Sequence, residues 1–584
     1  MMRRYRIADV ALAGFTLVGL WIIFSVQAPY RLEFKEQISI FLFGADRISW
    51  YLSNPGIISS VTGDWLTQFY INGRIAAALS CLLLLLITAG LVRFHRLAGS
   101  KHKLVLMFLM IPVALEGYFI TFPDYPVSAA LGLAVAVWSA CALAHIKDSR
   151  LSPWIYGLSV PVMFVIAGGH AFTMALLLGY LKRKDAAATV ICLVAGLIAM
   201  ALCGRFYNLT LLHTFIWPVY PKHIIPDKGL LILQPLLILA VMSLNHLFFR
   251  IGKERIMVGV LLGMAFLIQV LFITTRDKEL ENVVKIGTLA YRNEWKEVKE
   301  MAGSNEPNMY RNFYWNLCGA REGRLADDLL KGRWGSSSSS LFLSTGRNDP
   351  YFSMMYFTDA LLEIGDVSQA TDCALLAQTV MPGHYSTRML RRLAEIAVVT
   401  GDYAVASKYL DILSRTRNHR EWARDLQESI NRDEIPEQYL IWRSRTASKD
   451  HFFGQGDIRS SLKIIAQESP YNRTAIDYLL CSLLLDKNLN SFIDYYDRYY
   501  LNALDRIVRV PDLYQEALMV NVNSDESLRA TVEKYHISQE VVEKFMNLMA
   551  ARARSENGEV LTEESVGTYW NYIMAVKLIS GNQR

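Results

Sequence analysis

The chain has 584 residues, with 60 Lys and Arg against 54 Asp and Glu and a formal net charge of +6. So small an excess gives no basis for nucleic-acid binding, and no nucleic-acid partner is predicted. The seven cysteines are scattered and form no CxxC motif, so neither a disulfide framework nor a zinc site is predicted.

Long apolar segments dominate the first 275 residues. A helix that crosses a bilayer needs about 20 mostly apolar residues. The candidate spans are Ile7–Val26, Ile75–Val92, Leu104–Ile120, Val127–Ala144, Trp154–Leu181, Ala186–Cys203, Leu230–Phe249 and Ile256–Thr274. The run Trp154–Leu181 contains Gly168 and Gly169 near its middle and is too long for one ordinary span. A hairpin of two short helices is favoured there over one tilted helix, which predicts about nine crossings.

The distribution of basic residues predicts the orientation. With the N-terminus in the cytoplasm, the cytoplasmic segments hold 15 Lys or Arg and the opposite loops hold seven. Cytoplasmic loops of membrane proteins carry this bias. Nine crossings then place residues 276–584 outside the cytoplasm, in the periplasm of a bacterium whose inner membrane holds the spans. A single span at Trp154–Leu181 would reverse this and place Lys182–Lys184 outside.

The first outer loop, residues 27–74, is long and amphipathic. Two helices are predicted, about Leu32–Phe43 and Ile57–Tyr70, around a turn at Asn54-Pro55-Gly56. A pair of interfacial helices with aromatic anchors is the structural interpretation of this loop. Its acidic residues leave a functional interpretation open.

Four carboxylates on the outer side are the candidate site residues. Asp46 and Asp64 lie in the long loop, Glu116 near the outer end of its span, and Asp124 in the next short loop. An ionisable residue at membrane depth is a functional candidate by default. Glu116 is also near enough to the interface to reach water, and Asp64 also fits the N-cap of a helix.

Residues 276–584 predict a helical-repeat domain, so the expected fold class is all-α throughout. Gly365-Asp366 recurs 36 residues later as Gly401-Asp402, and Ala370 and Ala406 hold equivalent places after these turns. The pattern is similar to tetratricopeptide repeats, although the period is not strictly 34 and the signature tryptophan is absent. Degenerate copies are expected at Tyr291–Ala302 and Leu483–Tyr496. Such helix pairs stack into a solenoid, whose concave face usually binds peptide or protein.

Two stretches carry a family resemblance. One is Asn54-Pro55-Gly56 leading into GDWLTQFY at 63–70, and the other is MPGHYSTRMLRRL at 381–393. Together they resemble an uncharacterised family of Bacteroidota multi-pass membrane proteins with a helical-repeat C-terminal domain. The layout is distantly similar to membrane glycosyltransferases of the GT-C fold, which also carry a long, acidic first outer loop. The paired acidic motif usual in that loop of such enzymes is missing here.

Two functions follow from these features. The first is a membrane-anchored scaffold whose repeat domain binds a periplasmic or envelope protein. The alternative is a GT-C-like glycosyltransferase that uses a polyprenyl-phosphate sugar at the outer membrane face. Asp64 or Asp46 would then be the base or a metal ligand, with Glu116 or Asp124 second. No cofactor is predicted, and a divalent metal is expected only with the enzyme. Transport ranks third, because no inverted repeat is clear.

Overall fold

The computed structural model describes residues 14, 16–99, 105–181, 185–219, 228–251, 278–303, 308–331, 338–344, 351–447, 457–501, 509–554 and 567–575. Every regular element within these ranges is helical, so the all-α class is confirmed. The chain divides into two compact units. Unit 1 comprises Met1–Lys285, Met381–Arg388 and Ile412–Glu421, and unit 2 comprises Ile286–Val380, Met389–Asp411 and Trp422–Arg584. The predicted domain boundary at residue 275 stays a prediction.

The first eleven labelled helices all lie before residue 252. They are α1 (Pro29–Gln37), α2 (Ala45–Leu52), α3 (Ile57–Thr67), α4 (Gly73–Leu97), α5 (Val105–Ile120), α6 (Val127–Ala144), α7 (Ser152–Ala167), α8 (Ala171–Tyr180), α9 (Ala186–Phe206), α10 (Leu211–Ile216) and α11 (Lys228–Ile251). Helix α6 packs against α3, α4 and α8, and α7 packs against α9. One apolar core runs through these helices.

The remaining helices are shorter on average and follow one another closely. They are α12 (Lys278–Tyr291), α13 (Trp295–Ala302), α14 (Met309–Arg321), α15 (Leu325–Asp328), α16 (Tyr351–Ile364), α17 (Val367–Val380), α18 (Thr387–Thr400), α19 (Tyr403–Ser414), α20 (Arg420–Asn431), α21 (Glu437–Arg445), α22 (Ile458–Glu468), α23 (Arg473–Leu485), α24 (Leu489–Tyr499), α25 (Asp512–Leu518), α26 (Asp525–Tyr535), α27 (Gln539–Arg554) and α28 (Tyr569–Ala575).

Four described helical stretches are long and apolar enough to cross a bilayer. They are Gly73–Leu97, Val127–Ala144, Ser152–Tyr180 and Ala186–Phe206. Shorter apolar helices occur at Thr16–Gln27, Leu109–Ile120 and Gly229–Ser243. The prediction of about nine crossings is therefore not confirmed by the described part of the chain. The predicted span Ile256–Thr274 and the first residues of Ile7–Val26 lie outside the described residues.

Helix α9 exposes a largely apolar surface. Only 22% of an 18-residue apolar stretch of this helix is buried. Ile191 and Phe206 expose 68% and 85% of their surface. In water, each exposed side chain of this size forfeits about 1.5–3 kcal/mol of burial free energy. So continuous an apolar surface is compatible with a membrane protein.

The long run Trp154–Leu181 is interrupted at a glycine. Helix α7 ends at Ala167, and Gly168 has φ +69°, a conformation that side chains rarely adopt. A Cβ there would lie only 2.9 Å from the backbone oxygen of Trp217. The run is thus two helices of 16 and 10 residues. The predicted hairpin with two crossings stays a prediction.

Residues 27–74 form three helices instead of the two that were predicted. The predicted start at Ile57 is confirmed by α3, which ends at Thr67. The predicted helix Leu32–Phe43 was wrong in extent: α1 begins with Pro29, whose fixed φ suits the first helical position, and ends at Gln37. Helix α2 then fills the stretch before the predicted turn. Gly63 brings α3 directly onto α6, because a Cβ there would lie 2.6 Å from the Cα of Ser128.

Helix pairs joined by short turns recur along the second half of the chain. The pairs α12–α13, α14–α15, α16–α17, α18–α19 and α23–α24 each have a two- or three-residue connection. Each connection contains one residue with positive φ, which ends the first helix. These residues are Asn293, Gly323, Gly365, Gly401 and Lys487. The sequence predicted four of these turns and missed the one at Gly323.

Three of these turns share one capping arrangement. The side chains of Asp366, Asp402 and Asn488 each accept a hydrogen bond from the backbone N–H three residues on, at 3.1, 3.1 and 3.2 Å. This contact satisfies a donor that the first helical turn leaves unpaired. Ala370 and Ala406 each follow their caps by four residues and are fully buried. Their equivalent placement agrees with the predicted alignment.

Candidate functional site

A cavity of about 70 Å³ within unit 1 brings two of the four predicted carboxylates together. Its wall includes Lys35 from α1, Arg47 from α2, Asp64 from α3, Asp124 from the α5–α6 loop and Tyr385 from the segment 381–388. The volume holds a few waters or a small group such as a phosphate. The cavity therefore combines opposite charges in a small space.

Asp64 presents one oxygen to the protein and leaves the other open. Its Oδ2 accepts hydrogen bonds from Arg47 Nη2 at 2.9 Å and from the Tyr51 hydroxyl at 2.8 Å. Oδ1 accepts none from the described residues, and 20% of the side chain is exposed. Burial raises the pKa of Asp64, and the Arg47 guanidinium opposes part of that rise. Oδ1 is thus available to accept a proton from a bound ligand.

The helix-cap interpretation of Asp64 is wrong. Helix α3 begins at Ile57, and Gly56, with φ +76°, occupies the N-cap position. Asp64 lies seven residues further on, inside the helix. Its side chain is therefore free of any capping role and is directed to Arg47 and Tyr51.

Arg47 is a buried cation with unused donors. Its side chain is 7% exposed, and its guanidinium lies 4.1 Å from the ring centroid of Trp50 and 5.5 Å from that of Tyr385. These rings fix the plane of the guanidinium. Nε and Nη1 are buried and have no hydrogen-bond partner among the described residues. An unsatisfied buried donor costs about 1–3 kcal/mol, so an anionic ligand would relieve that cost.

Lys35 supplies a second buried cation. It is 3% exposed, and its Nζ donates hydrogen bonds to the backbone oxygens of Phe122 and Tyr125, the first at 2.6 Å. Burial lowers the pKa of Lys35 to about 7, while the negative charge of Asp124 opposes that shift. Asp124 is itself 2% exposed. Near neutral pH the charge on Lys35 therefore responds to small changes in its surroundings.

The other two predicted carboxylates do not contribute to the described cavity wall. Glu116 is fully buried, and its two oxygens accept hydrogen bonds from the Tyr125 hydroxyl at 2.8 Å and from Gln234 Nε2 at 2.5 Å. It is absent from the cavity lining. Asp46 lies in the first turn of α2, and its side chain lies outside the described residues.

A distant segment completes the cavity. Ser386 Oγ donates a hydrogen bond to the backbone oxygen of Gln37 at 2.7 Å, and Arg388 Nη1 donates one to Gln37 Oε1 at 2.9 Å. Arg388 is fully buried. These contacts hold the segment at the C-terminal end of α1 and place Tyr385 in the wall.

Three residues of the cavity wall are not predicted from the sequence: Lys35, Arg47 and Tyr385. In the sequence, the basic residues of 27–74 indicate only the orientation of the chain. A usable signal existed nonetheless, because both stretches that carry the family resemblance supply cavity residues. The first supplies Asp64 and the second supplies Gly383 and Tyr385.

A family model described as a family of unknown function, DUF6057, matches residues 3–575. The chain belongs to this family. The predicted membership of an uncharacterised family is thereby confirmed, and the DUF6057 match spans both the cavity residues and the helix pairs. No curated protein and no solved structure matches the chain. Among the described residues, no group of three or more His, Cys, Asp or Glu is placed to hold a metal ion.

Proposed function

We propose that this chain is a multi-pass membrane protein that binds the phosphate of a lipid-linked sugar in the unit 1 cavity and transfers the sugar to a hydroxyl acceptor. One observation carries the proposal: buried Arg47, whose Nε and Nη1 have no hydrogen-bond partner among the described residues, lines the same cavity as Asp64. A guanidinium suits phosphate because its planar donors match the phosphate oxygens.

The charges of the cavity fit a phosphate monoanion or diester. Lys35 and Arg47 are cations, and Asp64 already compensates part of the charge on Arg47. A bound phosphate supplies acceptors for Nε and Nη1, which no described residue supplies. The cavity is too small for a whole lipid-linked sugar. The phosphate would therefore lie inside, with the lipid and the sugar extending from it.

The transfer step assigns a role to each charged group. The acceptor hydroxyl attacks the anomeric carbon of the sugar while the bond from that carbon to the phosphate oxygen breaks. The bonding electrons leave with the polyprenyl phosphate, whose developing charge Arg47 and Lys35 stabilise. The hydroxyl proton passes to Asp64 Oδ1. A pKa raised by burial makes Asp64 a better proton acceptor than an exposed aspartate.

The membrane setting is part of the proposal. Four apolar helices of spanning length support it. The bias of basic residues supports a cytoplasmic N-terminus in a bacterial inner membrane, with residues 27–74 on the outer side. Since the cavity is built largely by that loop, the sugar donor would be met at the outer face.

A scaffold is the second candidate function. The recurrent helix pairs and their shared caps support a tetratricopeptide-like unit that binds an envelope protein. The scaffold accounts for unit 2 and assigns no role to the buried donors of Arg47. The enzyme accounts for those donors, and for that reason we rank it first.

The test uses the full chain in lipid nanodiscs. Polyprenyl phosphate alone is the binding probe, and a panel of polyprenyl-phosphate hexoses, with water or added sugars as acceptors, is the turnover probe. Asp64→Asn removes the charge and keeps the shape, so turnover should fall by about 10²- to 10⁴-fold while binding persists. The matched control is Asp494→Asn, the same change at an exposed position.

Two outcomes contradict the proposal. In the first, wild-type protein does not bind polyprenyl phosphate, so the proposed ligand is wrong. In the second, Asp64→Asn retains as much turnover as Asp494→Asn, so Asp64 is not the base. If the wild-type protein binds no polyprenyl phosphate but retains one envelope protein, the scaffold function would be favoured.

A further inference from the structure

Unit 2 contains a pocket of about 510 Å³ that involves none of the predicted site residues. Four aromatic side chains line it: Trp295, Trp422, Tyr439 and Trp442. Tyr439 and Trp442 are adjacent on α21, with ring centroids 5.8 Å apart. Aromatic faces in a concave site take up flat apolar surfaces of a ligand. The pocket is therefore built for a ligand with such surfaces.

Three arginines line the same pocket, and each is paired with a carboxylate. They are Arg321, Arg391 and Arg392. Their partners are Glu363 for Arg321, Glu395 for Arg391, and both Asp359 and Glu395 for Arg392. Since every one of these guanidinium groups is compensated within the protein, the pocket offers no unpaired cation to a strongly anionic ligand.

The pairing also fixes the aromatic walls. The Arg321 guanidinium lies 4.2 Å from the ring centroid of Trp295, and that of Arg391 lies 4.4 Å from the ring centroid of Trp422. Each cation is held over its ring by the carboxylate that it binds. The rings are thus oriented before a ligand arrives, which lowers the entropy cost of binding.

Two polar groups of the lining residues have no hydrogen-bond partner among the described residues. Trp442 is 7% exposed, and its Nε1 is buried without a hydrogen-bond partner among the described residues. Asp425 is exposed in the lining, and no described residue donates a hydrogen bond to its carboxylate. The lining therefore includes an unused donor and an unused acceptor, beside the polar side chains of Asn293, Ser429 and Gln438. A ligand that bonds to both Trp442 and Asp425 must accept one hydrogen bond and donate the other.

We infer that this pocket binds a neutral saccharide. A sugar ring presents a flat C–H face to an aromatic ring, and its hydroxyls both accept from an indole N–H and donate to a carboxylate. An acidic peptide would need unpaired arginines, and the three here are paired. A proline-rich peptide stacks on aromatic grooves, but proline has no N–H to donate to Asp425. A neutral saccharide has a flat apolar face, an acceptor for the Trp442 N–H and a donor for the Asp425 carboxylate.

The inference stands apart from the proposed transfer reaction. No residue of this pocket lines the unit 1 cavity. A protein without transferase activity could still bind sugar here, and a transferase could lack this site. The two proposals can therefore fail separately.

The test measures saccharide binding to the full chain in nanodiscs free of glycoside detergents. Maltopentaose, cellopentaose and mannopentaose are the probes. Their binding is measured by tryptophan fluorescence and by calorimetry. Trp442→Phe keeps an aromatic ring and removes the N–H, so affinity should fall by about 3- to 10-fold, the usual effect of one hydrogen bond. Trp422→Ala removes a wall, so affinity should fall by more than about 10-fold. The control Trp65→Phe changes an exposed tryptophan of unit 1 and should bind like wild type.

The inference is overturned if none of the three saccharides gives saturable binding at millimolar concentration. It is also overturned if Trp442→Phe and Trp422→Ala bind as tightly as the control. A capped proline decapeptide is titrated in parallel. Binding of that peptide, lost in both variants while no sugar binds, would assign the pocket to a peptide instead. The melting temperature of Trp442→Phe should lie within about a degree of that of wild type. A change in its affinity then reflects the lost N–H and not unfolding.

Discussion

The cavity of unit 1 and the pocket of unit 2 both contain buried arginines, and they use them in opposite ways. Arg47 lines a cavity of about 70 Å³, and two of its nitrogens have no hydrogen-bond partner in the described part of the chain. The three arginines of the larger pocket each pair with a carboxylate, and two of them, Arg321 and Arg391, lie over tryptophan rings. The number of arginines in a pocket therefore does not define its ligand. What defines it is how much of their charge and hydrogen bonding the protein leaves unsatisfied.

The most direct test of this difference between the two sites is to remove one arginine from each. Arg47→Met should lower the affinity for polyprenyl phosphate by about 10- to 100-fold, because charge-assisted hydrogen bonds are lost. Arg391→Met should leave that affinity unchanged, since Arg391 lies in unit 2. Titration of both nanodisc-held variants measures the difference. An equal loss of polyprenyl-phosphate affinity in the two variants would contradict binding of the phosphate at Arg47 alone.

The comparison also assumes that unit 2 is a set of tightly packed helix pairs. Ala406→Leu should destabilise the protein by about 1–3 kcal/mol, because the added atoms overfill a fully buried position of α19. Ala404→Leu is the matched control: it makes the same change on the exposed face of the same helix. Thermal unfolding of the full chain gives the measurement. If both variants unfolded alike, the predicted repeat alignment would be wrong.

A smaller effect is expected at the shared caps. Asp402→Ala removes the acceptor for the backbone N–H of Val405 and should cost about 1 kcal/mol. Asp402→Asn retains a capping oxygen and should be nearly neutral. Chemical denaturation of the two variants separates the cap from the charge. A loss of equal size in both would point to the charge of Asp402 instead.

The smallest effect on ligand affinity is expected from the charge of Lys35. The pKa of Lys35 is lowered to about 7, so the folded protein releases this proton as the pH rises through 7, whereas the unfolded chain keeps it to about 10.5. Stability should therefore rise with pH between about 7 and 10.5. Over the same rise, phosphate affinity should fall by about threefold, because Lys35 loses its charge and Asp124 already compensates part of it.

Lys35→Met provides the control for this pH dependence. Its phosphate affinity should be low and flat between pH 6 and 9, while saccharide binding in unit 2 should be flat in both proteins. A wild-type phosphate affinity that did not change over this range would contradict the role given to Lys35.

Much of the fold could be predicted from local sequence. The turns at Gly365 and Gly401 were found because a left-handed glycine followed by a capping aspartate is a short-range signal. The predicted start of a helix at Ile57 is confirmed as well. The alternative that made Asp64 an N-cap, because Gly63-Asp64 precedes an aromatic run, is wrong. The preceding Asn54-Pro55-Gly56 turn sets the start at Ile57, and Gly63 serves close packing on Ser128 instead.

The site was predictable only in part. Asp64 and Asp124 were candidates because they are carboxylates in segments predicted to lie on the outer side, and both line the cavity. Arg47 was not, because its unusual property is the absence of partners, which depends on neighbours from several helices. Tyr385 comes from more than 300 residues further along the chain, and no periodicity relates it to α2. Long-range proximity of this kind leaves no trace in local pattern.

The chain order of the cavity has a consequence for biosynthesis. Residues 381–388 belong to unit 1 although most of unit 2 is encoded around them. During translation the wall that carries Tyr385 emerges after roughly 100 further residues, about 5–20 s after Lys285 at the usual elongation rates. Until then Arg47 lacks one of its aromatic neighbours. A chain that ends before residue 381 can therefore fold its first helices without completing the cavity. If the cavity binds the proposed phosphate, that binding must wait until residues 381–388 have been made.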